Sequence, residues 1–467
     1  MARLLFGQAP WYLIDPHDGL SKHGMRAGCR WPSLGLGGRE SLDRLRGNSY
    51  LCYPFHAGYA AAWCQAHGHD VFFYDAIAWY ETFAVYYQRV EEFAPDIVFL
   101  EMSSASLAVD LQAAHTLADM GIKVCLVGPH ASTYAETLIQ EPFVTYVAQG
   151  EYDCAALAIA HGGPPGVYPT DLPTDLDALP FPILDPPTCY YYNDHFAFPE
   201  AILAPQVQVW TTRGCLYNCN FCLWRHTMYT VDERGSYRQR SAANVLAEVD
   251  DRVHRLGFRH VLFDDDTFSI VGREAPGSRG YDRVVGICEG MAQRGVQWSF
   301  MTRVDCHSLD LFQRMRDSGA VACKVGVESF SDRTLKGITK NLTADEEVRV
   351  IKALVAMGLK VYLATMTYIP GESETERART TEVLQYLGSL GVRWQRPHCT
   401  PLPGTPLFDR FKAEGYEMES DFSLYDGGAG KLHVLIEDFN RTHGVDGFES
   451  GRHRIEEVAH SGAMPVV

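Results

Sequence analysis

No stretch of this chain is long and apolar enough to read as a membrane-spanning helix. Its opening, "MARLLFGQAPWYLIDPHDG", lacks the apolar core and small-residue cleavage site of a secretory leader. A soluble, cytoplasmic protein is expected. Positive charge is also scarce, with 41 Lys and Arg against 58 Asp and Glu and a formal net charge of -17. Nucleic-acid binding draws on clustered Lys and Arg, so no nucleic-acid partner is expected. A disulfide framework is missing too: thirteen cysteines, an odd number, spread over 467 residues read as reduced thiols, some of them metal ligands. What remains is an ordinary globular composition, 46% hydrophobic and 12% aromatic, on a chain long enough for two or three cores.

Residues 1–160 alternate short apolar runs with helical stretches. "RLLFGQ", "DVFFYDA", "PDIVFLEMS", "IKVCLVGPH" and "VTYVAQGE" have the length and the closing polar or glycine residues of buried parallel strands. The segments between them stop at Gly68 and Gly121. This predicts a doubly wound α/β domain with its ligand at the carboxyl ends of the strands. Three strand ends stand out there: Ser103-Ser104, Gly128-Pro129-His130 and Gly150-Glu151. Residues 161–205 are proline-rich and aperiodic, and read as an extended crossover.

Behind the strand-like "VQVW" comes "TTRGCLYNCNFCLWRH", with Cys215, Cys219 and Cys222 spaced C-x3-C-x2-C. Three thiolates on one loop can hold three irons of a [4Fe-4S] cluster and leave the fourth iron open to chelate a substrate. His226 could instead complete a closed Cys3His zinc site. Further strand-like runs follow: "RHVLFDDD", "VQWSFMTR", "VACKVGVES", "LKVYLATMTYIPG" and "VRWQRPHCTPLPG". Helices between them carry start signals at Ser241 and in a capping box at Thr343 and Glu346. Six β-α units over residues 206–412 predict a partial TIM-like barrel with its site at the strand C-termini. Residues 413–467 match no motif.

C-x3-C-x-aromatic-C, with Phe221 at the aromatic position, resembles the radical S-adenosylmethionine (SAM) superfamily. Later features fall in the order of that family. The resemblance implies that Asp265 and Asp266 approach the SAM amino group, Arg303 its carboxylate, Glu328 the ribose, and Pro370 with Gly371 the adenine. The front region, from "YPFHAGYAAAWCQAHGHDVFFYDA" through "VAQGEYD", resembles the cobalamin-binding domain of one large class of that superfamily. On that likeness Ser103, Ser104, Gly128, Pro129, His130, Gly150 and Glu151 would surround the corrin. The D-x-H-x-x-G motif that supplies a histidine to cobalt is broken, since "DPHDGL" has Leu20 in place of the glycine. Cobalt is therefore expected to take no protein imidazole, with His17 the alternative.

The resemblance implies three cofactors: a [4Fe-4S] cluster, SAM and cobalamin. It also implies an external electron donor of flavodoxin or ferredoxin type, a small-molecule substrate, a 5′-deoxyadenosyl radical, and methyl delivery from the corrinoid to an unactivated carbon. The C-terminal segment would cap the barrel. Rearrangement or cyclisation without methylation would use the same residues. A methylthiotransferase would need a second cluster, for which Cys29, Cys52 and Cys64 are available. Each implied contact also has a structural alternative. Asp265 and Asp266 could favour a helix N-terminus, and Arg303 and Glu328 could form an ion pair.

Overall fold

The computed structural model describes residues 1–10, 51–79, 81–104, 106–192, 194, 198–229, 237–271, 276–416, 436 and 438–445. His17, Leu20, Cys29 and the closing "HSGAMPVV" lie outside them.

Five of the apolar runs at the front form strands: β1 (Arg3–Gln8), β2 (Asp70–Asp75), β3 (Ile97–Glu101), β4 (Lys123–Val127) and β5 (Tyr146–Ala148). Every residue of β3 is buried, as a strand covered on both faces requires. With a sixth strand, β6 (Gly166–Tyr168), the sheet is parallel and ordered β2-β1-β3-β4-β5-β6, so the chain reverses its direction of growth between β1 and β3. In open α/β sheets that reversal is where ligands bind, beyond the strand C-termini.

The sixth strand corrects the sequence reading. β6 (Gly166–Tyr168) comes from the stretch read as an extended crossover, and it pairs with β5. Farther along the same stretch, Leu176, Leu179, Leu184, Cys189 and Tyr192 are buried in one apolar core with the second sheet. Proline removed the periodicity that marks an element, but it did not prevent single apolar side chains from docking.

The second sheet is also parallel. β7 (Gln206–Val209), β10 (His260–Phe263), β11 (Gln297–Thr302), β12 (Ala320–Glu328), β13 (Lys360–Thr365) and β14 (Arg393–Gln395) follow the order β14-β13-β12-β11-β10-β7. Each strand therefore lies beside its sequence neighbour, and the six β-α units form a partial barrel open between β7 and β14. A short antiparallel pair, β8 (Thr212–Arg213) with β9 (Arg238–Gln239), closes the loop after β7. The helix at Ala242–Asp250 starts as expected, with Ser241 Oγ accepting from Asn244 N at 3.1 Å, and then passes through a π turn at Asp251–Arg255. At Thr343 only half of the predicted box forms, the hydroxyl accepting from Glu346 N at 3.3 Å. The full reciprocal box lies at Ser373 and Glu376.

Part of the C-terminal segment docks on this frame. Ile436 and Phe439 are buried with Cys399, Leu407 and Phe411, and Phe439 stacks on Phe411 at 4.4 Å. Asn440 Oδ1 accepts from Gly371 N at 2.7 Å, so the segment reaches the loop after β13.

Candidate active site

The loop after β7 is held before it reaches the first cysteine. Thr211 and Thr212 donate to Asp265, just beyond β10, through both backbone amides (2.7 and 2.6 Å) and both hydroxyls (2.9 Å each). Burial pushes the Asp265 carboxyl up to about 6 against those four bonds. Asp265 is therefore a brace between two strand ends, and its oxygens are already engaged. Asp266 lies close enough to the thiols that its charge adds to the upward push on Cys215 and Cys222. The sequence reading gave the two aspartates one role; the four bonds to Thr211 and Thr212 give Asp265 a structural one besides. Asp265→Ala should strand two buried amides and lower stability by about 3 kcal/mol, measurable by thermal denaturation. Asp265→Asn keeps one acceptor and should lose less.

Arg213 comes next, and it points away from the cysteines. Its Nη1 donates to Glu151 and to Asp153, both at 2.7 Å, and its guanidinium lies 4.5 Å from the centre of the Tyr59 ring. Arg238 pairs with Glu151 as well. The backbone joins in: Glu151 N donates to Met228 O at 3.1 Å, and a Cβ on Gly150 would lie 3.0 Å from that same oxygen. The Gly150-Glu151 loop, expected at the corrin, also ties the first sheet to the segment that leads into the cysteine loop. "QGEYD" and "TTRG" carried the signal, two acids in one and a lone arginine in the other, but nothing in one dimension pairs them.

Beyond Arg213 the chain turns through Gly214 at φ +85° and presents the three thiols. Asn220 pins this loop to the far side of the barrel, its N donating to Thr339 Oγ1 and its Nδ2 to Gly337 O, both at 3.0 Å. Phe221 packs against the apolar group that contains Cys399 and Leu407. The ring of His226 meets Cys219 O through Nε2 at 3.1 Å. A carbonyl only accepts, so Nε2 carries the proton and has no lone pair free for a metal.

Burial pushes the Cys215 thiol up to about 11 and Cys222 higher still. A metal bound here would displace those protons. Among the described residues no three His, Cys, Asp or Glu side chains converge on a single ion. The fit to a cluster therefore rests on three thiols within eight residues, Cys219 buried and Cys215 and Cys222 partly so, each able to take its own iron.

Around them the barrel contributes charge. Arg303 is clamped bidentate by Asp305 at 2.9 and 3.0 Å. Glu328 ends β12 with φ +69° at a register shift and accepts from Lys340 Nζ at 2.9 Å. Arg303 and Glu328 are each paired, but not to one another. Pro370 is buried, and Gly371, at φ +88°, is held by Asn440.

At the first sheet, Ser103 and Ser104 follow β3 half-buried, and Ser104 Oγ meets His130 Nδ1 at 2.9 Å. Gly128 has its own packing reason, because a Cβ there would lie 2.8 Å from Met102 O. Pro129 opens the short helix Pro129–Thr133. That helix touches the barrel, since a Cβ on Gly404 would meet Thr133 Oγ1 at 2.5 Å and Thr227 at 2.6 Å. Ser103, Ser104 and His130 thus form a small polar group at the C-terminal ends of β3 and β4, beside Pro129. His56, unremarked in the sequence, is buried at this seam beside Trp210 (5.0 Å) and Trp224 (5.7 Å), and burial pushes it down to about 4.

Residues 210–384 match the family model described as Radical SAM superfamily. The chain is 24% identical over 383 residues, 76% of its own length and 78% of the relative's, to an uncharacterized methyltransferase of Pyrococcus horikoshii. It is 26% identical over 230 residues to a tRNA-2-methylthio-N(6)-dimethylallyladenosine synthase of Paracoccus denitrificans, covering 48% of this chain and 49% of that one. The solved structure of OxsB, a cobalamin-dependent SAM radical enzyme with aqua-cobalamin and SAM bound, superposes with a TM-score of 0.60. That match is 14% identical and covers 91% of this chain and 64% of OxsB. TsrM, a radical SAM methyltransferase from Kitasatospora setae, gives a TM-score of 0.60 at 12% identity, covering 89% of this chain and 76% of TsrM. At these identities the likeness is one of fold.

Proposed function

We propose that this chain, whose residues 210–384 form a radical SAM domain, is a cobalamin-dependent methyltransferase acting on an unactivated carbon of a small molecule. That it is a radical SAM enzyme follows from the domain match together with its methyltransferase-named relative. The observation that carries the finer reading is the clamp between Glu151, Asp153 and Arg213. It holds the C-terminal edge of the first sheet against the loop that bears the thiols. A molecule lying between those two edges would face the corrin site on one side and SAM on the other.

The chain's own residues have separable tasks in this reading. Cys215, Cys219 and Cys222 hold the cluster, and Ser103, Ser104, Pro129 and His130 line the corrin. Asp265 and Arg213 set the height and angle of the cysteine loop. Asp266 and Glu328 present carboxylates toward SAM. When bound, the cluster supplies the electron that opens SAM, and the corrinoid supplies the methyl carrier. The protein aligns these groups and excludes water.

The methylthiotransferase alternative needs a second cluster in the first domain. Of the three cysteines available for it, Cys29 lies outside the described residues, Cys52 is buried, and Cys64 is packed in an apolar core where burial pushes its thiol up to about 12. Cys64 thus serves packing, which favours a single cluster.

Anaerobically reconstituted protein should hold about four irons per chain. His226→Ala should leave that number unchanged. Roughly eight irons would favour methylthiolation, and zinc without iron would defeat both readings. The corrinoid is tested without knowing the substrate. Reduced, cobalamin-loaded enzyme given SAM with a deuterated methyl group should yield S-adenosylhomocysteine, with the label on the extracted corrinoid. Unlabelled corrinoid alongside 5′-deoxyadenosine formation would point to rearrangement or cyclisation instead.

A further inference from the structure

We propose that Arg303 sets the reduction potential of the cluster instead of holding the carboxylate of SAM; this rests on Cys215, Cys219 and Cys222 being the cluster ligands. A guanidinium has five N–H bonds. In Arg303, Nε donates to Asp305 Oδ1 (2.9 Å) and Nη2 donates to Asp305 Oδ2 and Lys340 O (both 3.0 Å). Nη1 donates to Cys219 Sγ at 3.6 Å, within reach for the larger sulfur atom. Four of the five bonds are thereby engaged. A bidentate grip on a carboxylate needs two free parallel N–H groups, and only one N–H is left.

The stacking partner points the same way. The guanidinium lies 3.6 Å from the centre of the Tyr217 ring, and Tyr217 stands between Cys215 and Cys219 on the cysteine loop. Tyr217 is fixed in turn by a 3.3 Å contact between its hydroxyl and Cys306 Sγ. Arg303 is 5% exposed, so its charge acts through a poorly screening medium. One-electron reduction adds negative charge that spreads onto the cluster sulfurs. A cation with an N–H aimed at one ligand sulfur stabilises that reduced state more than the oxidised one, which raises the potential. Asp305 offsets part of the positive charge.

The test is an EPR-monitored redox titration of the reconstituted full-length enzyme, paired with SAM binding measured separately on the oxidised protein. Arg303→Met and Arg303→Gln should shift the potential negative, leaving the cluster several-fold less reduced where the native enzyme is half reduced. SAM affinity should change less than about three-fold. Asp305→Asn, which leaves the arginine in place and less neutralised, should shift the potential positive. A merely structural role would not produce shifts of opposite sign. An unmoved potential in the Arg303 variants overturns the proposal, as does a ten-fold or greater loss of SAM affinity without a redox shift. If the Arg303 variants hold no iron, Asp305→Asn decides by the sign of its shift. Native protein that holds no iron at all defeats the cluster reading itself.

Discussion

Cys219→Ala should abolish SAM cleavage while leaving cobalamin binding intact. Cys219 is the most deeply buried of the three thiols, and it alone receives the Arg303 N–H. Two remaining thiolates hold a four-iron cube poorly, so iron content should fall together with activity. The corrin site proposed above lies on the loops after β3 and β4 and shares no residue with the cysteine loop. Cobalamin affinity, followed by the visible absorbance of the bound corrinoid, should therefore stay within a few-fold of the native value. Parallel loss of both cofactors would mean that the cysteine loop supports the first domain more than its contacts imply.

The other large effect belongs to Arg213. Arg213→Met leaves Glu151 and Asp153 buried without their main cation, a change that costs about 3–5 kcal/mol where a buried pair is broken from one side. Thermal unfolding should move down by on the order of 10 °C. Adding Asp153→Asn to that variant should recover part of the loss, because the stranded charge is then gone.

The same network has an acid signature. Burial by itself would raise the Asp153 carboxyl, but Arg213 outweighs it and holds the group below the usual carboxylate range. Its folded pKa thus lies below its unfolded one. The stabilisation is complete above about pH 4 and is lost as pH falls through the folded value. Stability of the native protein should fall on that acid side, and Arg213→Met should flatten this part of the profile.

Local pattern made most of the architecture readable. Short apolar runs ended by polar or glycine residues marked the strands because a strand buried on both faces has few other compositions. β6 escaped: three residues, Gly-Val-Tyr, inside a proline-rich stretch carry no period, and they pair only because β5 offers an open edge. The cysteine loop was legible for a similar reason, since its chemistry depends on spacing within eight residues of one chain segment.

By itself, then, the sequence determined the two series of β-α units and the three adjacent thiols, because strand burial and ligand spacing are local properties. Only the tertiary structure decided which charged groups face them. Asp265 turns to Thr211 and Thr212, Arg303 to Asp305 and Cys219, Glu328 to Lys340, and Glu151 to Arg213 across 62 positions of chain. Every one of those side chains had another credible partner in one dimension. A buried charge takes the partner that the fold brings within about 3 Å, and burial makes that choice costly to reverse.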